Sequence, residues 1–246
     1  MSKAEPYHVK EGHDFVAYPN RDSTPFRDFY KIPEADTIIR GSLRFHGNPE
    51  FVDGLRQLGW LDATPKDWLV SGMTWLAVHQ RMMGTSDSRE ITIVNAISST
   101  VKWYNAQASD DFVTGLRQLG LLSHEIVPVK DDTLLDTLCA QLEKRLSFLP
   151  GERDLVILQH KFVIEKADGS AETRTSTLEM YGDPQGYSAM AKSVGVTCGI
   201  ATQLIIERHP LFNKPGVHAP YDEQVCHVLR EAVEKEGITM IEETHR

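Results

Sequence analysis

Two places near the start of the chain carry arginines where a small anion could be held. The first is Arg21 in Tyr18-Pro19-Asn20-Arg21-Asp22-Ser23, directly after the apolar run Phe15-Val16-Ala17. The second is the stretch Thr37-Ile38-Ile39-Arg40-Gly41-Ser42-Leu43-Arg44-Phe45-His46. Side chains alternate between the two faces of a strand, so this stretch divides in two. Ile39, Gly41, Leu43 and Phe45 form a face suited to a core, and Arg40, Ser42, Arg44 and His46 form a cationic face rich in donors. A guanidinium is a planar fork of donors that matches a carboxylate or phosphate bidentately. The cationic face therefore suits a small anionic ligand lying on a sheet. The same alternation also describes a strand face that is simply solvated, and the spacing leaves both readings open.

The elements around these residues can be read in outline. Asn48 as N-cap, Pro49 at the first helical position and Glu50 near the positive end of the dipole predict a helix start. Phe51, Leu55 and Leu58 then recur at helical spacing, and Gly59 fits the left-handed residue after the last turn. The run F-V-D-G-L-R-Q-L-G at 51–59 returns as F-V-T-G-L-R-Q-L-G at 112–120. Two copies are too few for a solenoid, so they predict two similar helices within a helical region over roughly 49–148. Trp60, Trp68, Trp75 and Trp103 are expected in its core. Leu135, Leu138, Leu142 and Leu149 are expected on one face of its last helix, stopped by Pro150-Gly151.

Strands return after that. Residues 155–164 and 172–180 flank Ala167-Asp168-Gly169-Ser170, and Asp-Gly between two β-like runs predicts a hairpin. Val156, Leu158, Phe162 and Ile164 are expected to face a core, with His160 among them as a satisfied core histidine. Asp183-Pro184 predicts another helix start, followed by Ala191, Gly195 and Gly199 at intervals of four. Glycine inside a helix costs roughly 1 kcal/mol against alanine, so that row asks for a closely packed partner. A last helix over about 222–236 and a short strand at 238–241 complete the chain. Strands, helices, strands and helices again read as α+β: a mixed or antiparallel sheet with helices and an all-helical insertion.

Composition narrows the function classes. The formal charge of -9 and a pI near 5.6 argue against a nucleic-acid binder, which usually shows a basic face. Residues 186–206 form the longest candidate membrane span, but Lys192, Thr197, Thr202 and Gln203 interrupt it, so a soluble helix is expected. The first residues lack the apolar run of a signal peptide, and Cys139, Cys198 and Cys226 are too far apart in sequence to form a metal-ligand pair. Free thiols and a cytoplasmic location are the expectation. The sequence contains no G-x-G-x-x-G, no G-x-x-x-x-G-K-[ST], no H-E-x-x-H and no G-x-S-x-G. No residue is therefore assigned to a cofactor or a metal.

Several blocks resemble one family. Residues 15–23, the T-I-I-R-G-S-L-R block at 37–44, R-D-L-V-I-L-Q-H-K-F at 153–162, R-T-S-T-L at 174–178 and residues 181–201 are similar, in order and spacing, to saccharopine dehydrogenases of the NADP-dependent, L-glutamate-forming type. The resemblance implies hydride transfer between NADP(H) and saccharopine, or the imine of glutamate and aminoadipate semialdehyde, in lysine biosynthesis by the α-aminoadipate route. It implies that Arg21, Ser42, Leu43 and Arg44 bind the substrate, a tricarboxylate, while the catalytic residues stay unassigned. It implies a homodimer. Members of the family open with a Rossmann domain that this sequence lacks, so NADP belongs to the complete enzyme and is not expected to bind this chain alone. Met1 resembles an internal methionine of the family. The implied division is a substrate-binding and dimerisation domain at 14–48 and 149–182, the helical insertion at 49–148, and a C-terminal part at 183–246 that would pack on the Rossmann domain. The loop at 208–220 departs from the family pattern. A non-catalytic amino-acid-binding or dimerisation module is the alternative, and a cofactor domain separates the two.

Overall fold

A turn at Gly12 makes a hairpin of the first segment: strands β1 (Glu5–Lys10) and β2 (His13–Pro19) pair antiparallel, with Glu5 opposite Ala17. The computed structural model describes residues 4–103 and 106–245; Met1 lies outside them. The single turn α1 (Phe26–Phe29) comes next, and then β3 (Gly41–Arg44), which pairs antiparallel with β2 in the order β1-β2-β3. The chain divides into two units, one of residues 1–22 and 39–147, the other of residues 23–38 and 148–246. The expected core face of the second arginine stretch is not buried. Ile39 and Phe45 are 66% and 70% exposed and Leu43 is only half-buried. The ladder is four residues long on this edge strand, and Ile39 and Phe45 lie beyond its ends.

The helical part of the first unit contains α2 (Asn48–Leu58), α3 (Trp75–Met83), α4 (Glu90–Thr100), α5 (Ala106–Gln118) and α6 (Leu134–Leu146). Gly47, at φ 84°, is the N-cap of α2, so the chain turns one residue before the expected Asn48. The last helix stops at Leu146, and Leu149 is 65% exposed rather than on its buried face. Trp60 and Trp75 are fully buried, and Trp68 and Trp103 pack against that core.

The repeated run carries more than two similar helices. Each copy ends on a glycine with positive φ, Gly59 at 91° and Gly120 at 74°. Each is closed by the next backbone N–H: Trp60 N donates to Leu55 O at 3.0 Å, and Leu121 N to Leu116 O at 2.8 Å. Each copy then leads to a helix capped by threonine, whose hydroxyl accepts from the third residue on: Thr74 from Ala77 N at 3.3 Å, Thr133 from Asp136 N at 3.0 Å. The copies also hold one another. Leu76 N donates to Ser123 O and Leu135 N to Asp62 O, both at 3.2 Å. The Phe112 ring lies on Gly54 and the Phe51 ring on Gly115, with the two rings 5.0 Å apart. Reciprocal contacts of this kind are the mark of a two-fold relation, here between two helix–loop–helix copies in one chain.

A Cβ at Gly54 or Gly115 would lie 2.5 Å from the facing ring. Phe112 is 2% exposed and has nowhere to move. Gly54→Ala gains roughly 1 kcal/mol of helix propensity but overpacks the contact, at about 1–3 kcal/mol. Urea unfolding is expected to show a net loss of about 1 kcal/mol, recovered by adding Phe112→Leu. A stabilised single variant would show that the clasp is loose.

The second unit is built on β4 (Leu155–Glu165), β5 (Ala171–Tyr181) and β6 (Ile241–His245), antiparallel in that order. The strands thus form two three-stranded sheets, not one sheet. The hairpin sits where Asp168-Gly169 places it: Lys166 N donates to Ser170 O at 2.8 Å, and Asp168 accepts from Ser170 N at 2.9 Å. Beside it, Glu172 is buried between Lys166 and Arg174. The expected core face of β4 is open. Leu158 and Phe162 are about half exposed, and His160 is exposed beside Phe162 instead of being a core histidine. Among the described residues β4 is an edge strand with only β5 beside it.

The helix expected from Asp183 begins at Ala189 and runs as α7 (Ala189–Ala191), a π turn (Lys192–Val196) and α8 (Thr197–Ile206). Asp183 and Gly186 close a turn ahead of it. Among the described residues this is the one helix long and apolar enough to cross a membrane by length and composition. Gly195 and Gly199 face open space. Helix α9 (Glu223–Lys235) is capped by Asp222, with Val225, Leu229 and Val233 half-buried.

Candidate functional site

The cationic face is set by the register of β2 and β3. Directly paired residues share a face, and Val16 stands opposite Arg44, Tyr18 opposite Ser42, Ala17 opposite Leu43. Ser42, Arg44 and Tyr18 are therefore on one side. Leu43 is on the other side, where the Phe15 and Phe45 rings meet at 5.3 Å, tilted to one another. A ligand on the cationic face can meet Leu43 only through its backbone. β3 is the outer strand of its sheet, which turns one row of its backbone groups away from β2.

Arg44 is exposed, and its guanidinium donates to the neighbouring Leu43 carbonyl at 2.7 Å. Among the described residues no carboxylate forms an ion pair with it, which leaves its remaining donors for a ligand. Arg21 follows the end of β2, five residues beyond the position opposite Arg44. At about 3.3 Å per residue, roughly 16 Å of strand separates the two arginines. The structure thus puts Ser42, Leu43 and Arg44 on one strand and Arg21 off the far end of its neighbour. An elongated anion with carboxylates at both ends suits that spacing better than a compact one. Tyr18 beside Ser42 was not legible from spacing, because cross-strand register is what brings it there.

A shallow depression of about 370 Å³ in the second unit is lined by residues 148–154 and 182–184 with Gly186 and Ser188. Its central acid is already engaged: Asp154 accepts from Ala189 N at 2.7 Å and Met190 N at 2.9 Å, and these N–H groups hold its carboxyl below the usual carboxylate range. Asp154 is a helix cap, and the N-terminus of the longest helix is thereby filled.

Every strand pairing among the described residues is antiparallel, so they form no parallel-sheet crevice of the kind that receives a pyrophosphate. Among them, no group of three or more His, Cys, Asp or Glu side chains could hold a metal.

The family model for the saccharopine dehydrogenase C-terminal domain matches residues 1–238. The chain belongs to this family. It is 44% identical to saccharopine dehydrogenase [NADP(+), L-glutamate-forming] of Schizosaccharomyces pombe, over 99% of the chain and 54% of that protein. It is 30% identical to the mitochondrial alpha-aminoadipic semialdehyde synthase of Bos taurus, over 97% of the chain and 25% of that protein. The solved apo saccharopine dehydrogenase (L-Glu forming) of Saccharomyces cerevisiae superposes with a TM-score of 0.90 at 39% identity, covering all of this chain and 55% of that one. This saccharopine dehydrogenase C-terminal domain spans about half the length of its fungal relatives.

Proposed function

We propose that the chain is the saccharopine-binding and dimerising portion of an NADP-dependent, L-glutamate-forming saccharopine dehydrogenase of lysine biosynthesis. The observation that carries this reading is the exposed Arg44 face on an edge strand with Arg21 at its far end. Saccharopine joins a glutamate to a lysine-derived chain and carries three carboxylates along its length, which matches a row of separated guanidinium groups. NADP supplies the hydride acceptor or donor when the other half of the enzyme binds it. The residues of this chain would grip the carboxylates and fix the C–N bond before that cofactor. The division into a substrate-binding and dimerising part (14–48 with 149–182), a helical insertion (49–148) and a C-terminal part (183–246) belongs to the same reading.

The experiment is reconstitution. Joined to the cofactor-binding half of a fungal relative, the chain is expected to give saccharopine-dependent reduction of NADP+, and alone it is expected to give none and not to take up NADPH. Saccharopine binding by the chain with no turnover after joining would favour the alternative, a non-catalytic amino-acid-binding or dimerisation module. Turnover by the chain alone would refute both.

The partner surfaces follow from what the fold leaves open. Leu158 and Phe162 on the face of β4, at 48% and 53% exposure, suit a second copy of the chain. Sedimentation at micromolar concentration is expected to show a homodimer, and only a 27.7 kDa species would count against it. Gly195 and Gly199, with Val194 and Ile205 exposed near them, suit close packing against the cofactor-binding half. Three exposed free cysteines fit the reducing cytoplasm, and a charge of -9 does not favour nucleic acid or an anionic membrane.

A further inference from the structure

The β2–β3 ladder runs one step beyond its last strand pair. Asn20 N donates to Arg40 O at 3.1 Å, so Arg40 lies beside Asn20 and next to Arg21. Adjacent strands are about 5 Å apart, which makes Arg40, not Arg44, the arginine nearest to Arg21 along the sheet. Counting back from Arg44 and Ser42, Arg40 falls on their side of the sheet. It is exposed, and about 13 Å of strand separates it from Arg44. The same side carries Asp14 at its other end, where His8 meets it at 2.7 Å. The Arg40 end thus carries two arginines, Arg21 and Arg40, beside Asp22 in a protein whose net charge is -9.

We propose that Arg40 is a third anchor, a specificity-determining residue that joins Arg21 on the carboxylates at one end of a tricarboxylate while Arg44 takes the other end. This rests on the substrate-binding reading above. It has a consequence that the two-arginine reading lacks. Arg40 should discriminate a ligand with three carboxylates from one of the same length with two, because Arg21 and Arg44 alone can each hold one carboxylate at either end of a long dicarboxylate.

The test uses the full chain and two probes, saccharopine and sebacate, a dicarboxylate of similar length with one carboxylate at each end, titrated by calorimetry and by the arginine Nε–Hε resonances. Saccharopine is expected to shift the Arg21, Arg40 and Arg44 resonances. Arg40→Ala is expected to weaken saccharopine roughly ten- to a hundredfold while changing sebacate less than twofold. Arg40→Lys is expected to recover part of the loss through its charge but not the bidentate fork. Unchanged circular dichroism and an unchanged sebacate affinity show that the variant is folded. If saccharopine shifts Arg21 and Arg44 but not Arg40, or if Arg40→Ala weakens both probes equally, the third anchor is wrong and the substrate reading stands. If saccharopine shifts none of the three, both fail.

Discussion

In the enzyme completed with its cofactor-binding half, Arg44→Ala is expected to raise the Michaelis constant for saccharopine ten- to a hundredfold. A hydrogen bond to a charged group is worth about 1.5–3 kcal/mol net, and about 1.4 kcal/mol is a tenfold change in affinity. Among the described residues Arg44 has only the Leu43 carbonyl to donate to, so a ligand carboxylate would displace little. Arg21→Ala is expected to cost a similar amount. The constant for NADPH should hardly move, since neither residue belongs to the cofactor half. Arg44→Lys should keep only a minor part of the affinity, because an ammonium cannot reproduce the fork. Steady-state kinetics decides the matter: an unchanged constant for saccharopine in Arg44→Ala would remove this face from the substrate site.

The second large effect concerns pH and lies in the helical core. His79 is fully buried with its ring edge-on to Trp60 at 5.2 Å, and among the described residues neither ring nitrogen has a hydrogen-bond partner of good geometry. Burial pushes its pKa down to about 4, with a smaller opposing pull from the Leu121 backbone. The unfolded chain binds the proton near pH 6.5 and the folded chain does not, so stability is complete above pH 6.5. It falls as the pH drops through that value and levels off near 4. A shift of this size corresponds to about 3 kcal/mol. Salt-bridged acids such as Glu125 and Glu172, whose pKa values are lowered by their lysine and arginine neighbours, lose their contribution at lower pH. Urea midpoints between pH 7 and pH 4.5 should therefore fall in the native chain and stay nearly level in His79→Phe. Parallel slopes for the two proteins would mean that some other group titrates.

Much of the fold was legible because local chemistry decides it. Asp168-Gly169 fixed the hairpin, Gly59 the end of α2, and Asp222 the start of α9. Where two residues compete for one role, the sequence did not choose. Gly47 outranks Asn48 as a cap because the chain must turn there, and Asp183 gives way to Ser188 and Asp154. Strand β1 alternates only briefly, Tyr7 and Val9 half-buried against exposed His8 and Lys10, which is too short a pattern to predict a strand. The spacing predicts burial for Leu158 and Phe162 on β4 and for Ile39 and Phe45 around β3, and these are exposed, since periodicity shows which residues share a face and not what covers it. For the candidate site, Arg21 and Arg44 were visible by type, while their separation and the closeness of Arg40 to Arg21 needed the register.

The clasp between the two helix–loop–helix copies has a consequence for how this sequence can change over time. Gly54 is bound to the size of Phe112, and Gly115 to that of Phe51, across some sixty residues of chain. A larger residue at either glycine is tolerable only once the opposite aromatic has shrunk, so these positions should vary in pairs, as contacting residues do. The phenylalanine and the glycine that recur in both runs F-V-x-G-L-R-Q-L-G are each the mould in which the other is cast.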